Sequence, residues 1–191
     1  ITINEQNIFT SLGWLTGIHP PGKIDEQKSF YQVNHHIFLA HAKTVMAFKK
    51  IDPEVKIGAS FAYSPSYAMD CDPENAMSKM DFDNLRNYWW MDVYAYGRYP
   101  KTAFSYLEKK GIAPVVTTDE IEMLKRAASL IDFMGVNYYQ TTVTEANPLD
   151  GVGPNIKMNT TGKKGSSSVS GLPGIYKTPS NPYLSTTDWD W

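Results

Sequence analysis

The 191-residue sequence holds one cysteine, Cys71. No intramolecular disulfide can form, and a reducing, cytoplasmic setting is the natural expectation. No stretch approaches the roughly 20 consecutive apolar residues of a membrane-spanning helix. Neither charge sign is in excess: 18 Lys and Arg stand against 20 Asp and Glu, a formal net charge of −2. That balance gives no reason to expect a nucleic-acid partner or an acidic, solvating tail. GxGxxG and GxxxxGK[ST] are both missing, so nothing seats a nucleotide. His35, His36 and His41 fall in one helical stretch, but no two are four apart, so the zinc-binding HxxxH pair is absent. They read as surface or packing residues, and neither a metal nor a cofactor is expected. A starting methionine is also missing. Ile1-Thr2-Ile3 opens the chain as the tail of a strand, which reads as an internal segment of something longer.

What is present in quantity is aromatic: 13% of the residues, with five Trp and twelve Tyr. Flat rings with a polar edge suit carbohydrate faces, and they equally suit a core built from large residues.

Along the chain, strand and helix signals alternate. After "ITI", residues 4–27 read as a loop around Pro20-Pro21-Gly22. Ser29 to Lys50 is helical, with Phe30, Val33, Ile37, Ala40, Thr44 and Ala47 forming the expected inward face. "VKIGASFAYSP" is too uniformly apolar for a strand wetted on one face and reads as a buried parallel strand. Asp72-Pro73 caps a long helix that Gly97 and Pro100 end. A further helical piece stops at Gly111, and Thr117 with Glu120 has the form of a capping box. "LIDFMGVNYYQ" is a second buried-strand pattern. Residues from about 141 to 185 are rich in Gly, Ser, Thr, Asn and Pro and read as a long irregular excursion.

Strands alternating with helices predict a parallel sheet. Polar or aromatic residues follow three strands: Asn4-Glu5, Tyr63-Ser64 and Asn137-Tyr138-Tyr139. That favours an α/β fold of the (β/α)8 barrel type, whose site lies at the carboxyl ends of the strands. About three strands make only part of such a barrel, so residues 1–191 are expected to be one incomplete barrel segment. It would pack against the remaining barrel segments of the same chain.

Glu5 leads the candidates for chemistry. A carboxyl at a strand end among aromatics suits a proton donor. Equally, it can cap a turn or sit in solvent. Asn4 offers a donor and an acceptor to a sugar hydroxyl. Tyr138 and Tyr139 point to opposite faces of a strand, so one of them can face the site. Trp189 and Trp191 share a face on an extended segment, either as a stacking platform or as core.

Taken in order, Thr2-Ile3-Asn4-Glu5, then Asn137-Tyr138-Tyr139, then Trp189-Asp190-Trp191, the motifs resemble the middle of the family 1 glycoside hydrolases, which are retaining β-glycosidases. The resemblance implies that the chain covers about strands four to six of the barrel. It implies Glu5 as acid/base, Asn4 on the sugar 2-hydroxyl and Asn137 in the sugar site. It also implies Tyr139 against the nucleophile, with Trp189 and Trp191 in the substrate site. Gln6 stands where the family commonly has proline. That change, with "GWLTGIHPPG" and "NYWWMDVYAYGRYP", resembles the 6-phospho-β-glucosidase branch, whose substrates are phosphorylated β-glucosides. The family's nucleophile lies in an E-N-G motif, and these 191 residues contain none. The nearest alternatives are a glycosidase for unphosphorylated sugars and a non-catalytic carbohydrate-binding segment.

Overall fold

The computed structural model describes residues 1–153, 157–158 and 168–181. They form two compact units. The first comprises Ile1–Ala62 and Tyr88–Asn137, and the second runs through Tyr63–Asn87 and from Tyr138 onward.

In the first unit, residues 2–5 run parallel to β1 (Gly58–Tyr63). Thr2 N donates to Gly58 O (2.8 Å), Ser60 N to Ile3 O (2.9 Å) and Glu5 N to Ser60 O (2.9 Å). The strand tail read from "ITI" therefore pairs with β1. On its other side β1 pairs with a strand at Phe133–Tyr138. That strand, read from sequence as buried, is exposed or half-buried along its whole length, because the described residues cover neither of its faces fully. Asp132 locks its start. The carboxylate takes Lys49 Nζ at 2.9 Å and the Ile57 N–H at 2.9 Å, and these hold its pKa well below the usual carboxylate range.

Helix α1 spans Gln6–Trp14, where the sequence reads as loop. Its buried residues are Gln6, Asn7, Thr10, Ser11 and Gly13, so there is no apolar stripe for a periodicity reading to find. The second helix, α2 (Gln27–Ile51), forms as expected, but its inward face is rotated. Phe30, Phe38, Ala42 and Val45 are buried, together with Asn34, His35 and His41, whereas Ala40 and Ala47 are exposed. Three polar side chains with internal partners occupy inward positions, so counting apolar residues alone points to the wrong face.

The expected single helix after Asp72 is three pieces: α3 (Pro73–Asp83), a π-helical turn (Asn84–Tyr88) and α4 (Trp89–Tyr96). Asp72 caps its start, accepting from Glu74 N at 2.8 Å. Gly97, in left-handed backbone at φ 64°, ends it. α5 (Lys101–Lys109) and α6 (Thr118–Ala128) follow, with both halves of the Thr117–Glu120 capping box formed. The core of this unit is built on α2, which packs against α6 and α1 and sets Phe30 and Phe38 edge-on to Trp90 and Tyr94 of α4. Phe30, Phe38, Phe61, Trp89, Trp90 and Tyr94 are each at most 2% exposed.

In the second unit β2 (Ser66–Ala68) pairs in parallel with a strand at Thr142–Thr144. Short antiparallel strands at Lys157–Met158, Ser168–Leu172 and Tyr176–Thr178 follow. The stretch expected to be irregular therefore carries strands of two to five residues, too short for a period-2 pattern to register.

His41 gives the first unit a pH dependence. It is buried, its Nδ1 lies 2.6 Å from Thr2 Oγ1, and its ring edge meets Tyr94 at 4.9 Å. Burial pushes its pKa down to about 4 from 6.5. The folded state therefore binds this proton less readily than the unfolded chain. Stability is complete above about pH 6.5 and is lost as pH falls toward 4, by roughly 2 kcal/mol between pH 7 and pH 5. Urea midpoints across that range should show the slope, and His41→Leu should flatten it. An unchanged slope in that variant would assign the dependence to other groups.

Candidate active site

The candidate residues sit where the strand tail ends and α1 begins. Glu5 is in left-handed backbone (φ 50°, ψ 45°), an uncommon state for a side chain of its size. Strain of this kind is sustained only where neighbours hold it, and it clusters at functional sites. Here the neighbours are clear. The Glu5 N–H is tied to Ser60 O, and Glu5 O accepts from the Ile8 and Phe9 N–H groups at 3.0 and 3.2 Å, which begins the helix. The proline that the family resemblance leads one to expect at position 6 would press its predecessor toward extended backbone. Gln6 relieves that restriction.

Gln6 is fully buried at the foot of α1. Its Nε2 donates to Asn34 O (2.9 Å) and Asn34 Oδ1 (2.8 Å), and its Oε1 accepts from the Tyr94 hydroxyl. Burial pushes the Tyr94 pKa up, so the phenol stays a donor. Asn34 Oδ1 also takes Thr10 Oγ1 (3.2 Å) and Trp90 Nε1 (3.1 Å). One residue further on, the Asn7 amide makes a two-point contact with β1. Nδ2 donates to Ala62 O at 2.6 Å, and Ala62 N donates to Oδ1 at 3.1 Å. A side chain thus continues the pairing after the backbone has turned into the helix.

On the open side, three of the predicted residues meet. Asn137, near the end of the strand at Phe133–Tyr138, points its Nδ2 at Glu5 Oε1 (2.7 Å) and at Asn4 Oδ1 (3.1 Å). The two motifs are 132 residues apart in sequence. Ser60 completes the cluster, donating from Oγ to Asn4 Oδ1 at 2.6 Å. A carboxylate held by an amide donor beside a second amide suits proton transfer to a hydroxylated substrate. Of the other candidates, Tyr139 lies in the second unit, 41% exposed. Trp189 and Trp191 lie outside the described residues. Among the described residues no group of three His, Cys, Asp or Glu is placed to hold a metal ion. Ser60, Gln6 and Asn34 were not foreseen. The one serine within the apolar run of β1 was the signal available for Ser60, and the departure from the family's proline was the signal at Gln6, whereas Asn34 carried none.

A carboxylate and amides gathered at the ends of parallel strands is how a (β/α)8 barrel builds its site. The whole chain, residues 1–191, matches the family model of Glycosyl hydrolase family 1, and the chain belongs to that family. It is 46% identical over 191 residues to the aryl-phospho-beta-D-glucosidase BglC of Bacillus subtilis (strain 168), covering all of this chain and 39% of the relative. It is 32% identical over 197 residues to the 6-phospho-beta-galactosidase of Clostridium acetobutylicum, covering all of this chain and 40% of the relative. The chain thus spans about two-fifths of the length of these relatives. Among solved structures, a beta-glucosidase from Exiguobacterium marinum superposes with a TM-score of 0.66 at 25% identity, over 75% of this chain and 32% of that one. A rice Os3BGlu6 beta-glucosidase superposes with a TM-score of 0.68 at 24% identity, over 77% and 33%. These neighbours are family 1 glycosidases, whose fold is the (β/α)8 barrel.

Proposed function

We propose that this chain supplies the acid/base half of a retaining glycosidase that hydrolyses 6-phospho-β-glucosides. In this reading it forms about strands four to six of the barrel and works in the cytoplasm. The observation that carries the reading is the meeting of Asn4, Glu5 and Asn137, drawn from two distant motifs, around one carboxylate. The phosphorylated substrate rests on the relatives' names, an aryl-phospho-beta-D-glucosidase and a 6-phospho-beta-galactosidase.

Retaining hydrolysis uses two carboxyl groups about 5–5.5 Å apart. Glu5 would first act as acid, protonating the glycosidic oxygen as the aglycone leaves and the second carboxylate bonds to the anomeric carbon. It would then act as base, taking a proton from the water that hydrolyses the glycosyl-enzyme. The Asn137 amide donates to Glu5 Oε1 and so orients the carboxyl for both steps. Asn4 would meet the sugar 2-hydroxyl, Tyr139 the nucleophile, and Trp189 and Trp191 the sugar face. The nucleophile would come from outside these residues, so the 191-residue chain by itself is expected to be inactive.

The test is to assay the full-length enzyme and the isolated chain on aryl 6-phospho-β-D-glucoside, its galacto epimer and the unphosphorylated glucoside. Turnover by the full-length enzyme alone, at least tenfold faster on the 6-phospho-glucoside, is the expected result. Preference for the unphosphorylated sugar would overturn the substrate, and turnover by the isolated chain would overturn the two-part site.

A further inference from the structure

We propose that Ser60 is a positioning residue for the substrate: its hydroxyl pins the Oδ1 side of Asn4, so that the Asn4 Nδ2 faces the sugar as a donor. The sense of each amide follows from its neighbours. Asn137 Nδ2 donates to Glu5 Oε1 at 2.7 Å, a bond open to the carboxyl in both its acid and its base role, since either form keeps an acceptor oxygen. The second hydrogen of that Nδ2 points at Asn4, 3.1 Å away, which requires Asn4 to present its oxygen there. Reversing the Asn4 amide would set two NH2 groups against each other. Ser60 adds a second, shorter donor to the same oxygen, at 2.6 Å, and both acceptor sites of Oδ1 are then filled. Asn4 is exposed, and no described residue accepts from its Nδ2, so two N–H donors remain for an incoming ligand.

The location of Ser60 makes this contact hard to replace. It is 3% exposed, so the hydroxyl holds Asn4 from the protein side and leaves the open side of the amide to the ligand. A Cβ at Gly135 would lie 2.8 Å from Ser60 Cβ, so the glycine leaves the room in which the serine side chain sits. The partner is a hydroxyl oxygen on the sugar, the 2-hydroxyl under the function proposed above, on which this inference rests. Hydrogen bonds to that hydroxyl strengthen in the transition state. An amide held in one sense makes such a bond without first reorienting.

The experiment compares p-nitrophenyl 6-phospho-β-D-glucoside with its 2-deoxy analogue in the full-length enzyme. Ser60→Ala should lower kcat/KM for the 2-hydroxy substrate about 5–20-fold, the scale of one buried hydrogen bond, and by less than twofold for the 2-deoxy one. Ser60→Cys, close in shape with a weaker donor, should fall between, and it serves as the test should the alanine variant not fold. Ser60→Ala combined with Asn4→Ala should be no worse than Asn4→Ala alone. Equal losses on both substrates, or no loss, would overturn the positioning role. If Asn4→Ala selectively harms the 2-hydroxy substrate while both Ser60 variants do not, this inference fails and the proposed site stands. If Asn4→Ala does not distinguish the two substrates, the site reading fails and this inference fails with it.

Discussion

Replacing Glu5 with Gln in the full-length enzyme is expected to lower kcat by 10²–10⁴-fold while leaving the fold intact, the usual worth of a positioned general acid and base. Glutamine keeps the shape of the side chain and an oxygen that can still accept from Asn137 Nδ2. What it loses is the transferable proton. The loss should depend on the leaving group. An alkyl or sugar aglycone needs protonation to depart and should show the full effect. A nitrophenolate leaves unaided, so its first step should be nearly spared. The second step still needs a base, so the covalent intermediate should accumulate and a burst of nitrophenol should precede slow turnover. Measuring kcat and burst amplitude across aglycones checks this. Unchanged turnover in a natively folded variant would sink the acid/base assignment. Retained binding with no turnover in either protein would favour a carbohydrate-binding segment.

The second large effect is one of stability. Asn34→Leu keeps the count and branching of the side-chain heavy atoms but removes the acceptor shared by Gln6 and Trp90, while Thr10 keeps its shorter bond to Gln6 O. The Trp90 indole N–H is then left without this partner in a side chain 1% exposed. Gln6 retains its bond to Asn34 O but loses the second. Leaving buried donors unmet costs on the order of 1–3 kcal/mol each, so a loss of about 2–4 kcal/mol is expected in urea or thermal unfolding. Because Gln6 anchors the first turn of α1, kcat should fall as well, through a looser Glu5 backbone. A neutral or stabilising result would show that an apolar filling serves as well as the polar network.

Much of the organisation could be read directly. The β1 run, the Asp72 cap, the Thr117–Glu120 capping box and the glycine stop at Gly97 all depend on residues close in sequence. Local sterics and local hydrogen bonds decide such features, and local sequence reports them. α1 failed that reading because its buried face is Gln6, Asn7, Thr10, Ser11 and Gly13, polar or small residues: Gln6 and Asn7 are met by partners far along the chain, and Thr10 and Ser11 bond back to the carbonyls of Gln6 and Asn7. The face of α2 was misplaced for the same reason: Asn34, His35 and His41 point inward because Trp90, Tyr99 and Thr2 meet them there.

The candidate site divides along the same line. Asn4, Glu5 and Asn137 were legible because short motifs in a set order mark the ends of strands, and strand ends are where this fold gathers its chemistry. Ser60 was not, because its role depends on the parallel register that sets it beside Asn4. By itself the sequence determined the alternation of strands and helices, the family and the identity of the acid/base candidate, since each rests on residue types at fixed local spacing. Only the tertiary structure decided which amide faces the carboxylate, which hydroxyl holds Asn4, and that the helix behind Glu5 is anchored by buried polar side chains. Those outcomes depend on contacts between residues tens to more than a hundred positions apart, and hydrogen-bond direction at such contacts is set only once both partners are in place.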